Sequence, residues 1–215
     1  MANKYPTTRT PRGVLVYPHI TEPDTKFVKP DGEYHTKFAL EADSDEANAF
    51  VGVLQEVMDT YIAENPDELK PAVIKKAARA AFYEEELDEE GEETGRWIFK
   101  FKLKARIKTK TKEWDQSPAL FDSNAQPVPE PLPIVWTGTE AKAILELFPY
   151  FMNTSKTFGI SMRCNAFQIL KLVEGQGKSG ASYGFEVEED GYTTVTDEFE
   201  PEDGAVKDAG GDDEF

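Results

Sequence analysis

One segment constrains this chain more than any other. From Arg96 to Lys112 it reads Arg-Trp-Ile-Phe-Lys-Phe-Lys-Leu-Lys-Ala-Arg-Ile-Lys-Thr-Lys-Thr-Lys. The odd positions are Trp97, Phe99, Phe101, Leu103, Ala105, Ile107, Thr109 and Thr111. The even positions are Arg96, Lys100, Lys102, Lys104, Arg106, Lys108, Lys110 and Lys112, with Ile98 the one exception. Alternate side chains of a strand point to opposite faces. The segment therefore predicts a strand with one face in a core and the other a row of eight cations. Neighbours on one strand face stand about 6.6–7 Å apart, and like charges so placed repel. One or two lysines are enough to protect a sheet edge from aggregation. Eight need something that offsets their repulsion, and a phosphate backbone does so with release of counterions.

The formal net charge of −17 argues against that reading until its distribution is considered. From Gly184 to Phe215 there are 13 acids and one base, Lys207, a charge of −12. Glu84 to Glu93 holds eight more acids and no base. Without these two blocks, the remaining residues carry 20 acids and 23 bases, or +3. The chain is a mildly basic body with two acidic blocks, an asymmetry more informative than the total.

Its 215 residues are enough for one domain with a real core. No run of about 18 apolar residues is present, and Met1 to Thr10 lacks the apolar core of a secretion signal. The single cysteine, Cys164, excludes an internal disulfide framework and fits a reducing compartment. With only His19 and His35 beside it, no His/Cys zinc motif is readable.

Along the chain, residues 1–12 read as an arm bearing Lys4, Arg9 and Arg12. Val14 to Val16 reads as a short strand closed by Pro18, and residues 22–32 as a loop. Tyr34, Thr36, Phe38 and Leu40 alternate with His35, Lys37 and Ala39 as in a half-buried strand. Asp43 and Glu46 have capping-box spacing, and an apolar stripe from Ala47 to Ile62 predicts a helix. Asn65-Pro66 predicts the start of a second helix reaching about Phe82, with Lys70, Lys75, Lys76 and Arg79 on its surface. Residues 84–93 read as a disordered acidic loop.

The five prolines of residues 117–133 predict an extended connector. Ile134 to Trp136 is a strand candidate, and Thr139 to Phe148 a short helix or strand ended by Pro149. Phe158, Ile160, Met162, Cys164 and Ala166 alternate before the parity shifts to Phe167 and Ile169, which predicts a bulge. A glycine-rich turn (175–180) and a closing strand through Tyr183, Phe185 and Val187 follow. Separated strands with early helices and no βαβ rhythm make the chain mainly β, a small barrel with attached helices. The expected organisation is a domain at 1–187, with a helical insertion at about 43–83 and the acidic loop at 84–93, and a disordered acidic tail at 188–215.

Catalytic chemistry finds little support. Gly175-Gln-Gly-Lys-Ser179 lacks the first glycine of a phosphate loop, because Leu172 stands there. The acids of 84–93 and of the tail have no calcium-loop spacing. Asp115, Asp122 and Glu140 are scattered without a nuclease motif, and neither histidine has a nucleophile at a recognisable spacing. No catalytic residue, metal or cofactor is expected. Exposed rings suit a strand binder, because bases stack on them without sequence preference. Trp114, Phe121, Trp136, Tyr150 and Phe151 lie in or beside loops, whereas Trp97, Phe99 and Phe101 suit the core.

The sequence resembles the single-stranded DNA-binding proteins of short-tailed lytic bacteriophages. The resemblance rests on Phe99-Lys-Phe-Lys102, Leu120-Phe-Asp-Ser-Asn124, Pro149-Tyr150 with Asn153-Thr154, Gly159 to Glu174, and the acidic tail ending in Phe215. It is clearest over residues 96–174 and the tail. It implies an oligonucleotide/oligosaccharide-binding (OB) barrel acting in replication, recombination and repair in the cytoplasm of an infected bacterial host. It also implies recruitment of the phage DNA polymerase and primase-helicase through the tail, and dimers involving the tail. The family's DNA-contacting tyrosine maps to Tyr150; the lysine and tryptophan beside it are Phe151 and Met152 here.

The expected DNA site is therefore Lys100, Lys102, Lys104, Arg106, Lys108 and Lys110 on phosphates, with Trp114, Tyr150 and Phe151 on bases. Asp212, Asp213, Glu214 and Phe215 are the expected partner-binding residues. An RNA-binding or RNA-chaperone barrel is the first rival reading, and a metal-dependent nuclease the second.

Overall fold

The structure, a computed structural model, describes residues 5–65, 69 and 71–173. Its elements in chain order are β1 (Thr7–Arg9), β2 (Gly13–Asp24), β3 (Glu33–Glu41), α1 (Asp45–Glu64), α2 (Pro71–Ile74), β4 (Ala78–Arg79), β5 (Glu84–Leu87), β6 (Glu93–Lys104), β7 (Arg106–Lys108), β8 (Glu113–Asp115), β9 (Ala119–Phe121), β10 (Glu140–Met152) and β11 (Thr157–Lys171). The expected glycine-rich turn, closing strand and acidic tail lie outside the described residues, as do Asp212, Asp213, Glu214 and Phe215.

Five strands close on themselves. β2 pairs with β3 and β3 with β6, both antiparallel. β6 runs parallel to β11 through Phe101↔Met162 and Lys102↔Arg163. β11 pairs antiparallel with β10 along the length of β10, and β10 returns to β2 at Glu140↔Val14 and Ala141↔Gly13. A three-strand meander closed by one parallel seam is the Greek-key topology of the OB barrel. That last junction needs glycine: a Cβ at Gly13 would stand 2.4 Å from the Phe38 ring.

Alternation builds the interior. Phe99, Phe101 and Leu103 are buried while Lys100, Lys102 and Lys104 are exposed, as the strand pattern requires. The Phe38 and Phe101 ring centroids lie 5.0 Å apart inside the barrel, within the range of favourable aromatic pairing. Helix α1 presents Ala47, Phe50 and Leu54 to this core and Met58 to a second cluster with Leu69 and Phe158, and Phe50 meets Phe99 edge-on at 5.0 Å. Its N-cap is Ser44, whose Oγ accepts from the Ala47 amide at 3.2 Å, rather than the expected Asp43. The expected bulge is present: Ile144 faces Ala166 and Leu145 faces Cys164, so Asn165 is the extra residue.

Several expectations are corrected. The long cationic strand ends at Lys104, because Ala105 turns aside and donates its amide to the Gly32 carbonyl at 3.1 Å. Arg106 to Lys108 then form a separate two-stranded ribbon with β8. The acidic run is not a disordered loop. Glu84 to Leu87 pair with β6 across a turn in which Asp88 Oδ1 accepts the amides of Glu90 and Glu92. The basic strand attracts it, with Glu84 on Lys100 and Glu86 on Arg96.

The second helix is one turn, Pro71–Ile74. Residues 78–79 instead add a strand beside β11, fixed by an Arg79–Asp59 ion pair at 2.7 Å. Strand β2 runs through Pro18 to Asp24, and β10 runs through Pro149 to Met152. Residues 134–136 form no strand.

Candidate nucleic-acid interface

Strand pairing sorts the outward side chains into transverse rows. Register places His19 opposite His35, His35 opposite Lys102, and Lys102 opposite Arg163. The adjoining rows set Lys37 opposite Lys100 and Glu33 opposite Lys104. All of these except His19 line two hollows on the outer face of β3, β6 and β11. The larger holds His35, Lys37, Lys100, Lys102 and Tyr150; the smaller holds Lys104, Ile107 and Arg163. Both include Glu33, Lys102 and Ser161, so they form one trough.

The cations fall into two electrostatic classes. Lys100 Nζ lies 2.5 Å from Glu84 Oε1. Arg106 binds Asp115 through Nε at 2.5 Å and Glu113 through Nη1 at 3.3 Å. The Asp115 bond and charge raise the Arg106 pKa, and Arg106 in turn holds the Asp115 carboxyl below its usual range. Lys108 reaches both oxygens of Asp31 at 2.9 Å. Lys102, Lys104 and Lys110 have no carboxylate partner among the described residues. The expected row is thus interrupted by the protein's own acids. Its two unpaired members on β6, Lys102 and Lys104, lie in the trough.

Tyr150 is 39% exposed at the trough wall. Trp114 is 46% exposed on β8, outside both hollows and opposite Ile107 on the ribbon. Phe151 points the other way. Its ring lies 4.8 Å from that of Phe158, in the apolar cluster with Met58 and Leu69. The parity of β10 turns adjacent residues to opposite faces, so Phe151 is a packing residue and does not share the Tyr150 surface.

Three side chains in or beside the trough are not singled out by the sequence. Lys37 and Arg163 line the trough, and the Arg163 guanidinium stacks 3.3 Å above the Phe148 ring. Tyr17 is 69% exposed, with Lys37 Nζ 5.9 Å from its ring centroid. Its φ of 50° is a left-handed conformation uncommon outside glycine. Alternation along 34–40 had already turned Lys37 outward, but nothing in the sequence told which strand would pair beside it.

The carboxylates considered for nuclease chemistry are engaged separately. Asp115 pairs with Arg106, Glu140 with Arg12, and Asp122 accepts the amides of Asn124 and Gln126.

A basic trough flanked by an exposed tyrosine on an OB barrel defines a protein of the oligonucleotide-binding class. The family described as single-stranded DNA-binding protein, bacteriophage T7, matches residues 11–172, and this chain belongs to that family. The fold is similar to the crystal structure of gp2.5, a single-stranded DNA-binding protein encoded by bacteriophage T7. The TM-score is 0.64 at 21% identity, covering 89% of this chain and 100% of the other. It is also similar to the C-terminally truncated single-stranded DNA-binding protein of bacteriophage Enc34 (TM-score 0.52, 11% identity, 78% and 87% covered). The Enc34 protein in complex with single-stranded DNA gives a TM-score of 0.50 at 11% identity, with 80% and 89% covered. Comparison with curated protein sequences gave no match. Among the described residues, no helix is long and apolar enough to cross a membrane.

Proposed function

We propose that this chain binds single-stranded DNA along the trough, without sequence preference. Lys102 and Lys104 hold phosphates, Lys37, Lys100 and Arg163 add to the field, and Tyr150 stacks a base. The observation that carries the reading is the pair of unpartnered lysines, Lys102 and Lys104, in a trough whose larger hollow is walled by Tyr150. Bases stack on any accessible ring, and phosphate contacts carry no sequence information, so this combination serves a strand of any sequence. The reading extends to replication, recombination and repair in the cytoplasm of an infected host. There, Asp212, Asp213, Glu214 and Phe215 dock the phage DNA polymerase and primase-helicase, and the tail also mediates dimerisation. The −12 charge of residues 184–215 and its terminal aromatic support that role. No step of this function is enzymatic.

Titration of a fluorescent thymidine oligonucleotide at several salt concentrations tests the reading. Binding should weaken linearly in log–log coordinates as phosphate contacts are screened. A matched RNA oligonucleotide competing better than DNA would replace this reading with the RNA-binding one, because only RNA offers the 2′-hydroxyl. Absence of binding at low salt would overturn both.

A further inference from the structure

We propose that His19, Asp24 and His35 form a site for one divalent transition-metal ion at the margin of the trough. His19 and Asp24 lie on β2, and His35 stands opposite His19 on β3. One donor atom from each comes within 4.8 Å of the other two. The imidazole centroids are themselves 4.8 Å apart. Asp24 Oδ2 lies 3.4 Å from His35 Nε2. That is long for a charge-assisted hydrogen bond, which settles near 2.7–2.9 Å. It matches the roughly 3.4 Å that separates two donors on a tetrahedral ion with bonds of about 2.0–2.2 Å. Turning the exposed His19 ring closes the third side.

The carboxylate is already held as a ligand would be. Asp24 is buried, and its Oδ1 accepts the amides of Lys26 at 2.8 Å and Phe27 at 3.3 Å, which leaves Oδ2 aimed at the histidines. Ligating carboxylates are characteristically oriented by such outer hydrogen bonds. Two imidazoles and one carboxylate suit zinc, cobalt, nickel or copper, whereas magnesium and calcium prefer oxygen alone. Three protein donors leave a coordination position open.

The open position has a use, which rests on the function proposed above. His35 lines the trough and is directly opposite Lys102. The Lys102 ammonium disfavours a second cation nearby, and a phosphate oxygen bound between the two offsets that repulsion. Metal and DNA should therefore each raise the other's affinity by the same factor.

The test is titration of the full metal-free chain with cobalt(II), followed by visible absorption, and with zinc(II), followed by calorimetry. Each is run without DNA and with a thymidine oligonucleotide. We expect one ion per chain, and at least tenfold weaker binding in both His19→Gln and His35→Gln, each checked for native circular dichroism. The DNA affinity of the parent chain should rise with zinc and fall back with chelator. No saturable binding, or equal binding by the parent and both variants, overturns the site. Metal binding that leaves DNA affinity unchanged keeps the site and overturns the phosphate coupling. Metal binding by a chain that takes no DNA in any condition keeps the site and overturns the function proposed above.

Discussion

Tyr150 occupies the space that a side chain at Gly159 would fill: a Cβ there would sit 2.4 Å from its Oη and 2.5 Å from its Cζ. The two residues are register partners across β10 and β11, so the glycine shapes the seat of the ring. Tyr150→Ala should weaken single-strand binding by roughly 1–3 kcal/mol, the usual loss for one base–aromatic stack. Tyr150→Phe should cost much less, because the π-face remains. Gly159→Ala should displace the ring and lose a comparable share of affinity. In the Tyr150→Ala background it should lose little more, since coupled residues are not additive. Fluorescence titration of the parent and the four variants checks this, and additive losses would show that the glycine acts elsewhere.

Lys102 and Lys104 differ from Lys100, Arg106 and Lys108 in having no carboxylate at ion-pair distance among the described residues. Replacing both with alanine should weaken binding to every sequence. It should lower the log–log salt slope by roughly 1.4, from about 0.7 per single-strand phosphate contact. An unchanged slope in the folded double variant would place the DNA backbone elsewhere.

Glu84 acts on Lys100 from the opposite direction. Glu84→Gln removes the carboxylate that holds the Lys100 ammonium. The freed lysine should tighten DNA binding, with the largest gain at low salt, where screening is weakest. Loss of affinity instead would show that the acid positions Lys100 for its phosphate.

The acidic C-terminus is tested by deletion of residues 196–215, which removes nine acids and Lys207 and changes the charge by +8. A tethered polyanion competes at high effective concentration, so the truncated chain should bind single strands more tightly at low salt. Phe215→Ala should leave DNA affinity nearly unchanged and weaken capture of replication partners. Unaltered low-salt affinity after truncation would remove competition from the account.

Cys164 reports on the core. Burial pushes its thiol up to about 12 from an ordinary value of 9.0. The folded state keeps the neutral thiol while the unfolded chain ionises near 9.0, so this contribution is complete below pH 9 and is lost as pH rises toward 12. Cys164→Ala should flatten the decline of stability across that window in denaturant titrations. At pH 8 the native thiol should resist iodoacetamide and react only on unfolding, because the thiolate is the nucleophile.

The sequence made the barrel legible where alternation is strict, as in Phe99 to Leu103 and Tyr34 to Leu40. It exposed the bulge because a single inserted residue, Asn165, shifts the side chains that follow, Phe167 and Ile169, to the other face. It misled where partners decide. The acids of 84–93 read as a disordered loop, yet the counterions of Glu84 and Glu86 lie across a turn on β6. Loop proximity suggests stacking for Phe151, but strand parity turns it to the face opposite Tyr150, where it packs on Phe158. Lys37 and Arg163 became visible only through strand pairing, since local spacing does not encode which strands adjoin.

The parallel seam between β6 and β11 consists of two register pairs, and the outward one joins Lys102 to Arg163. With the β10–β2 junction it is one of two short closures of the barrel, and of the two it alone sets cations abreast on the outer face. A strand of DNA lying across it would bridge those charges and fasten the closure from outside. The ligand then acts as a staple: amides along Phe101–Lys102 and Met162–Arg163 should exchange with solvent more slowly in the complex than any gain at the distant β1 edge. A phosphate bound there would tie β6 to β11 from outside, where the ladder itself has only two register pairs.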